Sequence, residues 1–64
     1  MDNNIYRVIL EKNMTQAELA RKIGVKREYI NRIINRKVTP TIPLGMRIAN
    51  ALEMPMEDLF VLRP

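Results

Sequence analysis

Apolar residues recur along the chain at helical spacing, in short bursts separated by polar or glycine- and proline-containing breaks. Ile5, Val8 and Ile9 predict a first helix over about Ile5 to Lys12, ended by Asn13-Met14. Thr15-Gln16-Ala17-Glu18 has the spacing of a capping box, in which the threonine hydroxyl and the glutamate carboxylate each take a backbone N–H from the other. It opens a second helix with Leu19, Ala20 and Ile23 on one face, and Gly24 closes it because glycine enters the left-handed conformation cheaply. A third helix runs from about Lys26 to Asn35 with Ile30, Ile33 and Ile34 as its stripe. Only Gly24 and Val25 separate it from the second, which forces a sharp turn.

Lys37 to Pro40 reads as a loop, with Thr39 pushed to an extended conformation by the proline after it. Thr41 is placed to cap a fourth helix reaching Leu52, with Pro43 tolerated in its first turn and Ile42, Ile48, Ala49 and Leu52 facing inward. Gly45, inside this helix, costs about 1 kcal/mol relative to alanine and implies the close approach of another helix. Pro55 restarts the chain, and Glu57 and Asp58 suit the positive end of a short fifth helix that contributes Met54, Met56, Leu59 and Phe60. The pattern therefore predicts an all-α fold, a compact five-helix bundle with a helix-turn-helix at its centre. It is a single domain over residues 1–64, because that length leaves no room for a second core.

So small a domain buries only about 60% of its unfolded surface and needs help to stay folded. With no cysteine and no histidine, neither disulfides nor a structural zinc site supply it, so helix packing or self-association must. No metal and no cofactor are expected. The absence of cysteine fits a reducing compartment. Met1-Asp2-Asn3-Asn4 has no secretory character, and no apolar run approaches the roughly 20 residues that span a bilayer. A cytoplasmic protein is expected.

Charge changes the picture more. Arg21, Lys22, Lys26, Arg27, Arg32, Arg36 and Lys37 face a single acid, Glu28, within one segment, whereas the remaining chain is net negative and the whole carries +4. A basic segment on a neutral-to-acidic body points to a polyanionic partner, although a solvated basic face produces the same tally. The arrangement favours the partner. At 100° per residue Glu28, Asn31, Arg32 and Asn35 project opposite the isoleucine stripe of the third helix, with Arg27 on the flank at its N-terminal end. A helix fits the major groove of B-DNA. Arginine pairs there with guanine, asparagine with adenine and glutamate with cytosine, which makes Arg27, Glu28, Asn31 and Arg32 candidate base readers. Lys26, Arg36 and Lys37 flank that surface and suit phosphates.

The run Thr15-Gln16-Ala17-Glu18-Leu19-Ala20-Arg21-Lys22-Ile23-Gly24-Val25, followed by Tyr29-Ile30-Asn31-Arg32-Ile33, resembles the Cro/cI-type helix-turn-helix domain of the XRE family. Pro40-Thr41, Ile48-Ala49-Asn50-Ala51-Leu52 and Glu57-Asp58-Leu59-Phe60 resemble that family's fourth and fifth helices, so nearly the whole chain is covered. The resemblance implies a non-enzymatic regulator of transcription. Such a regulator, a repressor in the simplest case, docks its third helix in the major groove as a dimer on a palindromic site. It also implies that Gln16 touches a phosphate and braces the reading helix, that Arg27, Glu28 and Arg32 read bases, and that Lys26 and the loop from Asn35 to Thr39 contact the backbone. Three positions depart from the family pattern. Lys26 replaces the usual capping serine or threonine. Asn35-Arg36 replaces a frequent Arg-Gly or Asn-Gly, so Arg36 carries strain or the helix ends one residue earlier. Glu53 replaces a common glycine.

Tyr29 lies between stripe and front, where it either packs on the second helix or offers its hydroxyl to a phosphate. Met46, Met54 and Met56 read as core or interface rather than ligands. Phe60, Val61 and Leu62 are large apolar residues that something must cover. Either they pack on the first helix or, with Met56, they form a dimer seam, the reading favoured here because pairing lengthens the recognised site. Val61 and Leu62 are alternatively a short extended segment, pairing with the N-terminal residues or with a second subunit. An antitoxin or a DNA-targeting module with a protein partner is the alternative function. An enzyme is disfavoured, since the carboxylates read as capping or surface groups and no glycine-rich phosphate loop is present.

Overall fold

Each helix begins and ends for a local reason, and those reasons fix the architecture. A computed structural model of the chain describes residues 2–61. It contains helices α1 (Ile5–Glu11), α2 (Gln16–Ile23), α3 (Arg27–Ile34), α4 (Ile42–Ala51) and α5 (Met56–Leu59), with two-residue strands β1 (Asp2–Asn3) and β2 (Phe60–Val61) at the two ends. The expected helices are all present. Lys12, Lys26, Asn35 and Leu52 are caps rather than helical residues.

The capping box forms: Glu18 N donates to Thr15 Oγ1 over 3.0 Å and Thr15 N donates to Glu18 Oε1 over 2.9 Å. The bond from the Thr15 backbone, then that from its hydroxyl, hold the Glu18 carboxyl below the usual glutamate range. A depressed carboxyl stabilises the fold above its unfolded-state pKa of about 4.3, and that contribution disappears as pH falls through the lower folded value. In urea titrations the stability gap between the natural chain and Glu18→Gln should therefore be larger at neutral pH than at about pH 3. A gap independent of pH would remove the carboxylate from the cap. Thr41 caps α4 through its hydroxyl alone, which accepts from Leu44 N.

Four helices end in one manner. Gly24 (φ 81°) terminates α2, while Asn13 (φ 56°), Arg36 (φ 62°) and Glu53 (φ 57°) take the left-handed conformation after α1, α3 and α4. Six-residue backbone bonds close these ends, from Met14 N to Ile9 O, Val25 N to Ala20 O, Lys37 N to Arg32 O and Met54 N to Ala49 O. The two places where the sequence departs from glycine, Arg36 and Glu53, thus carry backbone strain, and α3 ends before Arg36.

The faces so oriented enclose one core. Ile5, Val8 and Ile9 of α1 meet Leu19, Ala20 and Ile23 of α2, Ile30 and Ile33 of α3, Ile48 and Ala49 of α4, and Leu52 at the α4 C-cap. Leu59 and Phe60 close it. The close approach expected at Gly45 is present: a Cβ there would lie 3.0 Å from Met56 Cε and 3.6 Å from the Phe60 ring. Ile42 does not face inward as expected, being 73% exposed. It lies at the edge of the stripe of Gly45, Ile48 and Leu52, and among the described residues its side chain is left largely uncovered.

The fifth helix stops at Leu59, and Phe60–Val61 pairs antiparallel with Asp2–Asn3 in the register Asp2↔Val61 and Asn3↔Phe60. Of the alternatives for the tail, Val61 thus adopts the extended segment paired with the N-terminal residues. Phe60 is buried within its own chain, and Val61 is 39% exposed. Leu62 lies outside the described residues. No helix among the described residues is long and apolar enough to cross a membrane.

Candidate nucleic-acid interface

The surface opposite the core face of α3 is assembled from three stretches of chain. Arg27, Glu28 and Arg32 are exposed along α3, while Ile30 and Ile33 are buried behind them, so the helix divides by face as its periodicity predicts. Lys26, extended at the N-cap and without a side-chain cap bond, leaves its ammonium beside the exposed helix start. Asn35, Arg36, Lys37 and Thr39 are exposed on the segment that follows.

Gln16, at the first position of α2, reaches toward α3: Asn31 Nδ2 donates to Gln16 Oε1 over 3.3 Å. Asn35 Nδ2 in turn donates to the carbonyl oxygen of Asn31 over 2.9 Å and to its Oδ1 over 3.2 Å. The Asn31 amide is therefore engaged on both sides. Asn31 links the two helices and is half-buried, whereas Arg27 and Arg32 are exposed. Tyr29 is half-buried and packs against the core cluster.

The turn between α2 and α3 is held by a residue that the sequence did not single out. The Arg47 guanidinium, on α4, donates to the carbonyl oxygen of Ile23, a group left unpaired at the end of α2. It lies 3.5 Å from where a Cβ on Gly24 would stand. Two further residues were missed at the other end of α3. Asn3 Nδ2 donates to Ile33 O over 2.8 Å, and Asp2 Oδ1 accepts from Arg36 Nη1 over 2.8 Å. Both come from β1, whose two residues are too few to show an alternation.

Pro40, Thr41, Ile42, Gly45, Met56 and Phe60, with Glu57, line an apolar groove of about 420 Å³. Met46, 51% exposed, is a further uncovered apolar residue of α4. The described residues contain no group of three or more carboxylates placed to hold a metal ion.

Two short helices joined by a glycine turn, the second with a polar, basic front and an isoleucine back, define the class of helix-turn-helix proteins. The helix-turn-helix family profile matches residues 5–59, and the chain belongs to that family, of the XRE type. It is 41% identical over 49 residues to an uncharacterised HTH-type transcriptional regulator of Archaeoglobus fulgidus, an alignment covering 77% of this chain and 69% of the relative. A second relative with the same description, from Methanothermobacter thermautotrophicus, is 40% identical over 53 residues, covering 81% of this chain and 77% of its own length. Among solved structures, a hypothetical transcription factor from Neisseria superposes with a TM-score of 0.80 at 24% identity, over 86% of this chain; the chain spans 62% of that protein's length. At that identity the superposition speaks for the fold alone. Family membership places the protein among DNA-binding regulators of transcription, and not among enzymes.

Proposed function

We propose that the protein binds a specific double-stranded DNA site as a homodimer and represses transcription by occupying it. The observation that carries this reading is the division of α3, with Arg27, Glu28 and Arg32 exposed opposite two fully covered isoleucines and a basic turn immediately after them. Arg27, Glu28, Asn31 and Arg32 face base edges in the major groove, Asn31 as the member fixed by Gln16 and Asn35. Gln16, Lys26, Tyr29, Asn35, Arg36, Lys37 and Thr39 meet the phosphates on either side and set the register. The protein works where DNA is, in the cytoplasm and on the nucleoid.

The dimer rests on uncovered apolar surface. Met56 and Phe60 line a groove together with Ile42 and Gly45, and Val61, the next residue, is 39% exposed. A second copy related by a twofold axis would cover both grooves at once, and such a pair matches an inverted repeat. The same groove favours the second reading, an antitoxin or targeting module in which a different protein occupies it.

Selection from a randomised duplex library at physiological salt, paired with sedimentation of the purified protein, tests both. An enriched inverted repeat and a dimer at micromolar concentration support the regulator. A monomer with no enriched sequence moves the assignment to the partnered module.

A further inference from the structure

We infer that Asp2 sets the affinity of the protein for DNA, by acting as a resident anion on a cation that the backbone phosphates would otherwise take in full. The inference rests on the reading that α3 enters the major groove. The sequence places Asp2 outside the basic segment, but the fold delivers it there, with its carboxylate 2.8 Å from Arg36 Nη1. Arg36 is the first residue past the capped end of α3, and its own carbonyl-side turn is fixed by the bonds Arg36 N to Ile33 O and Lys37 N to Arg32 O. Its side chain keeps 65% exposure whereas that of Asp2 keeps 21%. The guanidinium is thus open to an incoming anion, and the carboxylate is held against it from behind.

That carboxylate is not carried by a loose tail. Asn3 is bonded to Ile33 O over 2.8 Å, Asn4 N to Leu59 O over 2.8 Å and Asn4 Nδ2 to Asp58 O over 3.0 Å, and Asp2 itself pairs with Val61 across the small sheet. Three consecutive residues are therefore anchored, each of them to β2 or α5, and the anion stays in place when α3 docks. A guanidinium grips a phosphate best through two parallel N–H bonds. With Nη1 committed to Asp2, Arg36 has fewer such pairs to offer, and the fixed negative charge repels the phosphate that approaches.

The test is a cycle of Asp2→Asn, Arg36→Ala and the double variant, each titrated with one duplex over a range of salt, with thermal unfolding to show that all are folded. Asp2→Asn should bind about two- to fivefold more tightly, the range of an exposed ion pair, with a log–log salt dependence steeper by about 0.9. Arg36→Ala should weaken binding by the natural chain, through the phosphate contact that Arg36 still makes, and the gain from Asp2→Asn should vanish in the Arg36→Ala background. Equal or weaker binding by Asp2→Asn would make the carboxylate a support for Arg36 and overturn the inference, as would a gain that survives in the double variant. The same titration with a scrambled duplex separates the two readings. An Asp2→Asn gain on both duplexes without site preference sustains the role of Asp2 while sinking sequence-specific recognition. No binding by the natural chain to either duplex overturns both.

Discussion

Replacing Ile30 by alanine should lower the stability of the protein by about 2–5 kcal/mol. Ile30 is fully covered, on the back of α3 and in the cluster shared with α2 and α4. A chain of this length holds only on the order of 3–10 kcal/mol in total, so thermal unfolding followed by circular dichroism should show the variant partly or wholly unfolded at physiological temperature. DNA binding should fall with the folded fraction and no further. The contrast is Ile42→Ala. It removes the same atoms from a residue 73% exposed and should shift stability of the isolated chain by no more than about 0.5 kcal/mol. A loss below about 1 kcal/mol at Ile30 would mean that the apolar face of α3 does not anchor the reading helix.

Arg32→Ala should separate affinity from specificity. Arg32 is exposed in the last turn of α3 and makes no ion pair among the described residues. Its loss should cost about 1–3 kcal/mol on the selected site and relax preference at one base pair, because a bidentate contact to a guanine edge is lost. Lys37→Ala, beyond the helix end, should instead weaken all duplexes alike and reduce the salt dependence by about one phosphate contact. Competition titrations against duplexes altered at single positions distinguish the two. Equal losses on every sequence for Arg32→Ala would remove it from base reading.

Both expectations trace to features readable in the sequence, because the signals that set them are local. Thr15 and Glu18 lie three positions apart, Thr41 and Leu44 likewise, and each cap forms from its own neighbourhood. The glycine departures at Arg36 and Glu53 marked left-handed residues for the same reason. What was not readable depends on distant partners. Arg47 and Ile23 are 24 positions apart, Asp2 and Arg36 34, and Asn4 and Asp58 54, and no spacing rule links such pairs. Ile42 is the instructive miss: it recurs at helical spacing, but burial is set by what lies opposite, and the described residues leave it 73% exposed. Asn31 shows the limit on the candidate site, since a residue on the reading face was legible and its commitment to Gln16 and Asn35 was not.

The left-handed residues after α3 and α4 share a dihedral and differ in what a lineage could do with them. At Glu53 the side chain is exposed and makes no ion pair or side-chain hydrogen bond among those described, so glycine there would relieve strain without deleting a described contact. At Arg36 glycine would relieve the same strain and delete the guanidinium that meets Asp2. One position is thus open to improvement by drift, and the other holds its awkward backbone because its charge is in use. Proteins near their stability threshold keep such costs mainly where function requires them. Among related chains, arginine should be retained at the first of these turns more often than glutamate at the second.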